Sequence, residues 1–319
     1  MKALQYKNGA LQVADAPTPL RPDEVLVRVV LSGICNTDLE IAKGYAGFEG
    51  TLGHEFVGVV EQARERSDLL GQRVVGEINA GCGNCALCRA KDPRHCETRT
   101  VLGIHGRDGS HAEFLSLPAE NLFAIPDEIS DEQAVFIEPL AAAYGIYEQV
   151  PLAHHTRVAI IGDGKLGLLT ALSYGAASSN ALLVGKHDEK LKIARDAGLS
   201  TCLLNELDAS THRNFDVVVE ASGSETGFTT ALDLVRPRGK IVLKSTFRGE
   251  PRWAAARVVV DEITIVGSRC GRFEPALKLL ERGKFDPIPL ISDEFSLADG
   301  VAAMRRAAEP GVLKVFLRP

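Results

Sequence analysis

RVAIIGDGKLGLL (157–169) runs an apolar segment into three glycines, Gly162, Gly164 and Gly167, spaced G-x-G-x-x-G, and out into a helical pattern. Glycines at this spacing permit a tight strand-to-helix turn. They also let the backbone approach a pyrophosphate, which the N-terminal end of the helix attracts. A lone match is common, but this one has a strand before it, a helix after it and a further apolar segment, ALLV (181–184). The stretch therefore predicts a dinucleotide-binding loop of Gly162, Asp163, Gly164, Lys165, Leu166 and Gly167. Where an acid at the end of the next strand usually takes the ribose 2′-hydroxyl, the chain reads Gly185, Lys186, His187. A glycine followed by two potential cations leaves room and charge for a 2′-phosphate and favours NADP over NAD; Asp188, offset along the turn, is the alternative acid.

Downstream, apolar runs with little alternation (TCLL, FDVVVEASG, GKIVLKS, EITIVGS) alternate with helical patterns (DEKLKIARDAG, GFTTALDLV). Such runs fit strands buried on both faces, so the fold class is α/β with a doubly wound parallel sheet. Helical periodicity continues in FEPALKLLERGKF (273–285) and around LADGVAAMRRAAE (297–309), and LKVFLRP (313–319) is apolar enough to be a last strand. Upstream, the first 120 residues read as short strands broken by Gly and Pro: 24–33, 53–63, 71–78 and 112–118. The changes of pattern divide the chain into 1–149, 150–270 and 271–319. With 319 residues, 45% hydrophobic and 24% charged, the chain can bury a sizeable core, which excludes disorder. A formal net charge of −6 lacks the basic excess that neutralising many phosphates needs, so nucleic acid is not expected as a partner. Without a long apolar run or an apolar signal core, a membrane is not expected either, and the expectation is a cytoplasmic protein.

Four of the seven cysteines, Cys82, Cys85, Cys88 and Cys96, fall in GCGNCALCRAKDPRHC. In a reducing compartment this spacing points to metal rather than disulfides. Four thiolates around Zn2+ leave no open position, which describes a structural site; an iron–sulfur cluster is the rival, and His95 a weaker substitute ligand. A second set is scattered: Cys35 in SGICNTDLE, His54 and Glu55 in LGHEFVG, Glu138 in FIEPLAAA. A thiolate, an imidazole and a carboxylate would leave a catalytic zinc neutral with one position open. Read singly, each is as well explained by packing or, for Glu138, by capping a helix. Trp253, the only tryptophan, is read as packing.

In order, 33-GICNTD-38, 53-GHE-55, the cysteine lobe, Glu138-Pro139, 162-GDGKLG-167 and 267-GSRCG-271 resemble the zinc-containing medium-chain dehydrogenase/reductase superfamily, which includes alcohol, threonine and polyol dehydrogenases. The resemblance covers nearly the whole chain. It implies a GroES-like β-rich catalytic domain, a Rossmann domain and a C-terminal segment that returns to the first domain. It also implies Cys35, His54 and Glu138 as ligands of a catalytic zinc, Glu55 able to exchange onto the metal, and two zinc ions per chain in all. Thr37 matches the hydroxyl that passes the substrate proton onward, while Glu40 stands where many relatives carry a relay histidine and Asn36 where glycine is more usual. Glutamate at 138 leans the substrate towards a small-molecule secondary or polyhydroxy alcohol. A homodimer or homotetramer is implied as well. Two other readings compete: a zinc-independent NADPH reductase of the same superfamily, and a non-catalytic nucleotide-binding protein.

Overall fold

The chain opens with an antiparallel hairpin, Lys2–Lys7 against Ala10–Asp15, closed by Asn8 and Gly9, both at positive φ. The asparagine–glycine pair is the residue combination that a tight hairpin turn requires. The structure is a computed structural model that describes residues 1–319 apart from 22, 154, 177–179, 246–253 and 284; Trp253 lies outside the described residues. The residues cluster into two compact units, 1–138 with 286–319, and 139–285.

In the first unit the expected strands form Val25–Gly33, Glu55–Gln62, Arg73–Gly76 and Phe114–Leu117 within a seven-stranded sheet. The chain end joins this sheet. Lys314–Arg318 pairs antiparallel with Val25–Gly33, through Phe316 with Gly33 and Leu317 with Ser32, and parallel with Ile291–Ser296. Alternation along Val25–Gly33 buries Val25, Val27 and Val29 together with Phe56, Val60, Val74, Leu115 and Leu117 in one core. A second core joins Leu4, Ile34, Leu52, Met304 and Leu317, which locks the last helix, Gly300–Ala307, to the N-terminal hairpin. The cysteine lobe is an excursion rooted by Asn79–Ala80 pairing with Thr100–Leu102.

The second unit holds a six-stranded parallel sheet. Its strands lie in the order Ser200–Leu203, Ala181–Gly185, Val158–Ile161, Phe215–Glu220, Val235–Leu243, Thr264–Gly267. Order runs outward both ways from the first strand, so the crevice at the carboxyl ends beside Val158–Ile161 is the topological switch point at which such sheets bind ligands. Val158–Ile161 is buried throughout, as expected of a central parallel strand. The fold is thus the GroES-like and Rossmann pair that the sequence implies. A helix not anticipated as such, Ile137–Gln149, carries Glu138 in its first turn.

Candidate active site and metal centres

Cys35 follows the Val25–Gly33 strand and caps helix Asn36–Ile41, its N–H donating to Asp38 Oδ2 at 2.7 Å. His54 immediately precedes the neighbouring strand, Glu55 begins it, and Lys314 begins the strand on the other side. Adjacent register brings these residues together: one ligand atom from each of Cys35, His54 and Glu55 lies within 4.8 Å of the others. Gly33 is what makes the approach possible, since a Cβ there would stand 2.6 Å from Glu55 Oε2 and 2.8 Å from Val135. Gly53 takes φ +95° and leaves space for the His111 ring, which a Cβ would meet at 2.5 Å.

Behind these three groups is a residue whose role the sequence reading did not assign. Asp38 is fully buried, accepts N–H from Cys35 and Gly53, and lies 3.4 Å from His54 Nδ1 and 3.6 Å from His111 Nε2. Burial pushes its carboxyl up, but His54 and His111 outweigh that and hold it far below the usual carboxylate range. Likewise burial pulls the His54 imidazole down, while the Asp38 carboxylate and Cys35 raise it well above its ordinary value. A carboxylate at Nδ1 fixes ring orientation and leaves Nε2 as the donor towards a metal. The signal was present as an acid three residues after Cys35, but only the fold shows that His54 and His111 meet it.

Lys314 is the second such residue. Its ammonium, 1% exposed, pairs with Glu55 Oε2, reaches Ile34 O at 3.4 Å and lies 5.7 Å from the Phe136 ring centre. Burial lowers the Lys314 pKa, but Glu55 and Cys35 reverse the shift and keep it cationic. Glu138 stands outside the group of mutual ligand distances and is half-buried. Burial pushes its carboxyl up to about 7, with His54 pulling it down and Glu55 and Glu77 pushing it up. Thr37 Oγ1 is 3.8 Å from Cys35 Sγ. Glu40 pairs with Lys43 at 2.8 Å on the surface, and Asn36 is exposed.

The fit of this pocket to zinc rests on its own atoms. Sulfur, nitrogen and oxygen donors converge, and Glu55 Oε1 is buried without a hydrogen-bond partner. An unpartnered buried carboxylate oxygen is costly unless a cation shares it. The lobe fits a closed site: the four sulfurs of Cys82, Cys85, Cys88 and Cys96 lie within 4.8 Å of one another, and His95 is not among them. The helix Ala86–Arg89 begins at Cys85, whose sulfur accepts from Cys88 N at 3.4 Å. Backbone donation around Cys82 and the Thr98 hydroxyl bring the Cys96 thiol down to about 6, whereas burial lifts Cys88 to about 11.

In the second unit, Gly162 takes φ +118° and packs on the Ala221 carbonyl, and a Cβ at Gly167 would fall 1.9 Å from Gly162 O. Only glycine permits that helix-to-strand contact. Gly164 caps helix Lys165–Gly175 and faces open space, which suits the close approach of a phosphate group. Gly185 ends the next strand, and Lys186 and His187 follow it, both exposed. Asp163 is buried beneath them, its Oδ2 accepting the N–H groups of Lys186 and His187 at 2.6 and 2.7 Å.

Residues 21–127 match the family model of the alcohol dehydrogenase GroES-like domain, and 164–282 that of the zinc-binding dehydrogenases. An L-threonine 3-dehydrogenase of Streptomyces coelicolor is 33% identical over 99% of this chain and 99% of its own length. The chain belongs to the zinc-containing medium-chain dehydrogenase/reductase superfamily. As a dehydrogenase of this type it is an oxidoreductase acting on CH–OH groups with a nicotinamide nucleotide as acceptor. Among solved structures, the dehydrogenase is similar to an alcohol dehydrogenase of Escherichia coli CFT073 complexed with NADH, at TM-score 0.92 and 26% identity over 100% of this chain and 99% of the other. It is also similar to a zinc-binding dehydrogenase of Sinorhizobium meliloti 1021 bound to NADP, at TM-score 0.90 and 27% identity over 100% and 99%.

Proposed function

We propose that this dehydrogenase is zinc-dependent and NADP-linked, and that it reversibly oxidises a secondary or polyhydroxy alcohol of the polyol, sugar or 3-hydroxy amino acid type. The observation that carries the zinc reading is the convergence of Cys35, His54 and Glu55, which a zinc-independent reductase has no reason to keep. Cys35, His54 and Glu138 hold the metal in the loaded site. Glu55, whose Oε2 is committed to Lys314, offers its other oxygen as the exchanging group. Zinc held there supplies a Lewis acid that lowers the pKa of a substrate hydroxyl.

The chain's own residues do the rest. Asp38 faces His54 Nδ1 at 3.4 Å, and Lys314 holds Glu55 Oε2 in place. Thr37 Oγ1 accepts the hydroxyl proton and passes it outward, with Glu40 or solvent receiving it. A nicotinamide nucleotide bound to the second unit would supply the acceptor for hydride from the carbinol carbon. The loop Gly162, Asp163, Gly164, Lys165, Leu166, Gly167 binds the pyrophosphate, and Gly185, Lys186 and His187 receive the adenosine ribose. The four cysteines of the lobe hold the second zinc and stabilise the fold around it. A cytoplasmic location and a homodimeric or homotetrameric assembly complete the reading, both as expected for a dehydrogenase of this type.

The test is a screen of NADP and NAD reduction across secondary alcohols, polyols and 3-hydroxy amino acids, with zinc measured in Glu138→Gln and Glu55→Gln. We expect NADP-linked turnover, with the larger loss of zinc in Glu138→Gln. No turnover with any alcohol, on protein that binds nucleotide, would favour the non-catalytic reading. Loss of zinc only in Glu55→Gln would reverse the assignment of the third ligand.

A further inference from the structure

Asp163 lies inside the G-x-G-x-x-G turn, at a position where the chemistry of pyrophosphate binding asks for nothing acidic. A carboxylate beside a phosphate repels it, and a buried one costs free energy unless donors surround it. Here the donors come from one place. Asp163 Oδ2 accepts the backbone N–H of Lys186 at 2.6 Å and of His187 at 2.7 Å, and lies 3.0 Å from His187 Nδ1. The residue is 7% exposed, so it is a built contact and not a surface pairing. Burial raises its pKa, and the two amides and His187 more than reverse that, so the group is ionised.

The contact also explains Gly185. A Cβ at that residue would stand 2.6 Å from Asp163 Oδ2 and 2.7 Å from its Cβ. The space in which a strand-end acid would sit is therefore filled by the side chain of Asp163, which arrives from the neighbouring loop. Its charge is directed at the amides of the 185–187 turn and not outward at a ribose. Both residues that the carboxylate grips by their N–H groups, Lys186 and His187, are exposed.

We propose that Asp163 is a positioning residue for cofactor choice: it fixes the turn after the Ala181–Gly185 strand so that Lys186 and His187 present their side chains together to an adenosine 2′-phosphate. The proposal deepens the NADP reading above and rests on it. In this role the Asp163 carboxylate is directed at the turn. It acts by holding two backbone amides and one imidazole nitrogen, which removes the freedom of a two-residue turn before the ligand arrives.

The experiment uses the zinc-loaded enzyme and two probes, adenosine 2′,5′-bisphosphate and AMP, whose binding is measured by calorimetry without turnover. Wild type is expected to bind the 2′-phosphorylated probe at least ten-fold more tightly than AMP. In Asp163→Ala that preference falls to three-fold or less through weaker binding of the 2′-phosphorylated probe, while zinc content stays close to wild type. Asp163→Asn, which retains an acceptor for the amides, recovers part of the preference. Lys186→Ala weakens the 2′-phosphorylated probe in wild type but hardly further in Asp163→Ala, because the two residues act as one unit.

If wild type binds both probes equally, the NADP reading falls and takes this proposal with it. If wild type prefers the 2′-phosphorylated probe and Asp163→Ala keeps that preference, only the role of Asp163 falls. Tighter binding of the 2′-phosphorylated probe by Asp163→Ala, with weaker AMP binding, would also overturn it, since the carboxylate would then be facing the ribose. Should Asp163→Ala not fold, Asp163→Asn and Lys186→Ala carry the same cycle.

Discussion

Replacing Lys314 by methionine removes a buried ammonium and leaves its partner behind. Glu55 is 1% exposed, its Oε1 already has no hydrogen-bond partner, and its Oε2 depends on Lys314. Methionine fills most of the aliphatic stem, so cavity formation contributes little and the loss is electrostatic. Breaking one side of a buried ion pair costs about 3–5 kcal/mol, since the remaining charge is uncompensated. The Phe136 ring, at 5.7 Å from the ammonium, adds at most roughly 1 kcal/mol to that. Removing both charges is a different perturbation: Lys314→Met with Glu55→Gln leaves no orphan charge and is expected within about 1.5 kcal/mol of wild type, because neutral replacements of buried pairs are often tolerated. The assay is urea unfolding of metal-free protein for wild type, both single variants and the double variant. A Lys314→Met loss below about 1 kcal/mol, or a double variant as unstable as the sum of the singles, would refute the claim that this pair is coupled.

Cys88→Ser should release one zinc per chain and lower the unfolding midpoint of the lobe, while the other zinc and the ligand group of Cys35 and His54 remain; elemental analysis with and without chelator reads both. Gly53→Ala meets the His111 ring at 2.5 Å with φ +95°, so a loss of about 2 kcal/mol or more is expected in denaturant titrations, and a loss under about 0.5 kcal/mol would mean the turn relaxes freely. Burial lifts the Glu24 carboxyl, but Arg107 and Ser116 outweigh it and hold the pKa below the ordinary 4.5. Its folded pKa is thus below its unfolded one, so its contribution is full above about pH 4.5 and is lost as pH falls towards the folded value. Glu24→Gln should therefore flatten the acid limb of stability against pH, measured as urea midpoints from pH 6 to pH 3, and an unchanged limb would count against the ion pair.

The parallel sheet was legible because strands buried on both faces read as unbroken apolar runs, and because Gly162 and Gly167 carry separate steric demands that no other residue meets. The cysteine lobe was legible from spacing alone, since its ligands lie within one short excursion. Cys35 and His54 were recognisable only through the order of motifs; on their own they read as packing. Asp38, His111 and Lys314 were out of reach for a physical reason. Lys314 comes to Glu55 only when the last strand pairs beside Val25–Gly33, a contact 259 residues apart in sequence. The buried Asp163 contact with the 185–187 turn was hidden in the same way, because the side chain of a phosphate loop gives no sign in sequence of which strand end it fills. The helix Ile137–Gln149 was masked by Pro139, which a first turn tolerates because the N–H that proline lacks would have had no intrahelical partner there.

The central claim is that one zinc at Cys35 and His54 performs the chemistry while another, in the lobe, holds structure. The most direct measurement is zinc per chain together with alcohol-dependent NADP reduction, in wild type and in Cys35→Ser. We expect about two zinc ions with turnover in wild type, and about one with no turnover and an intact fold in Cys35→Ser. One zinc in both proteins, with turnover undiminished in Cys35→Ser, would contradict it.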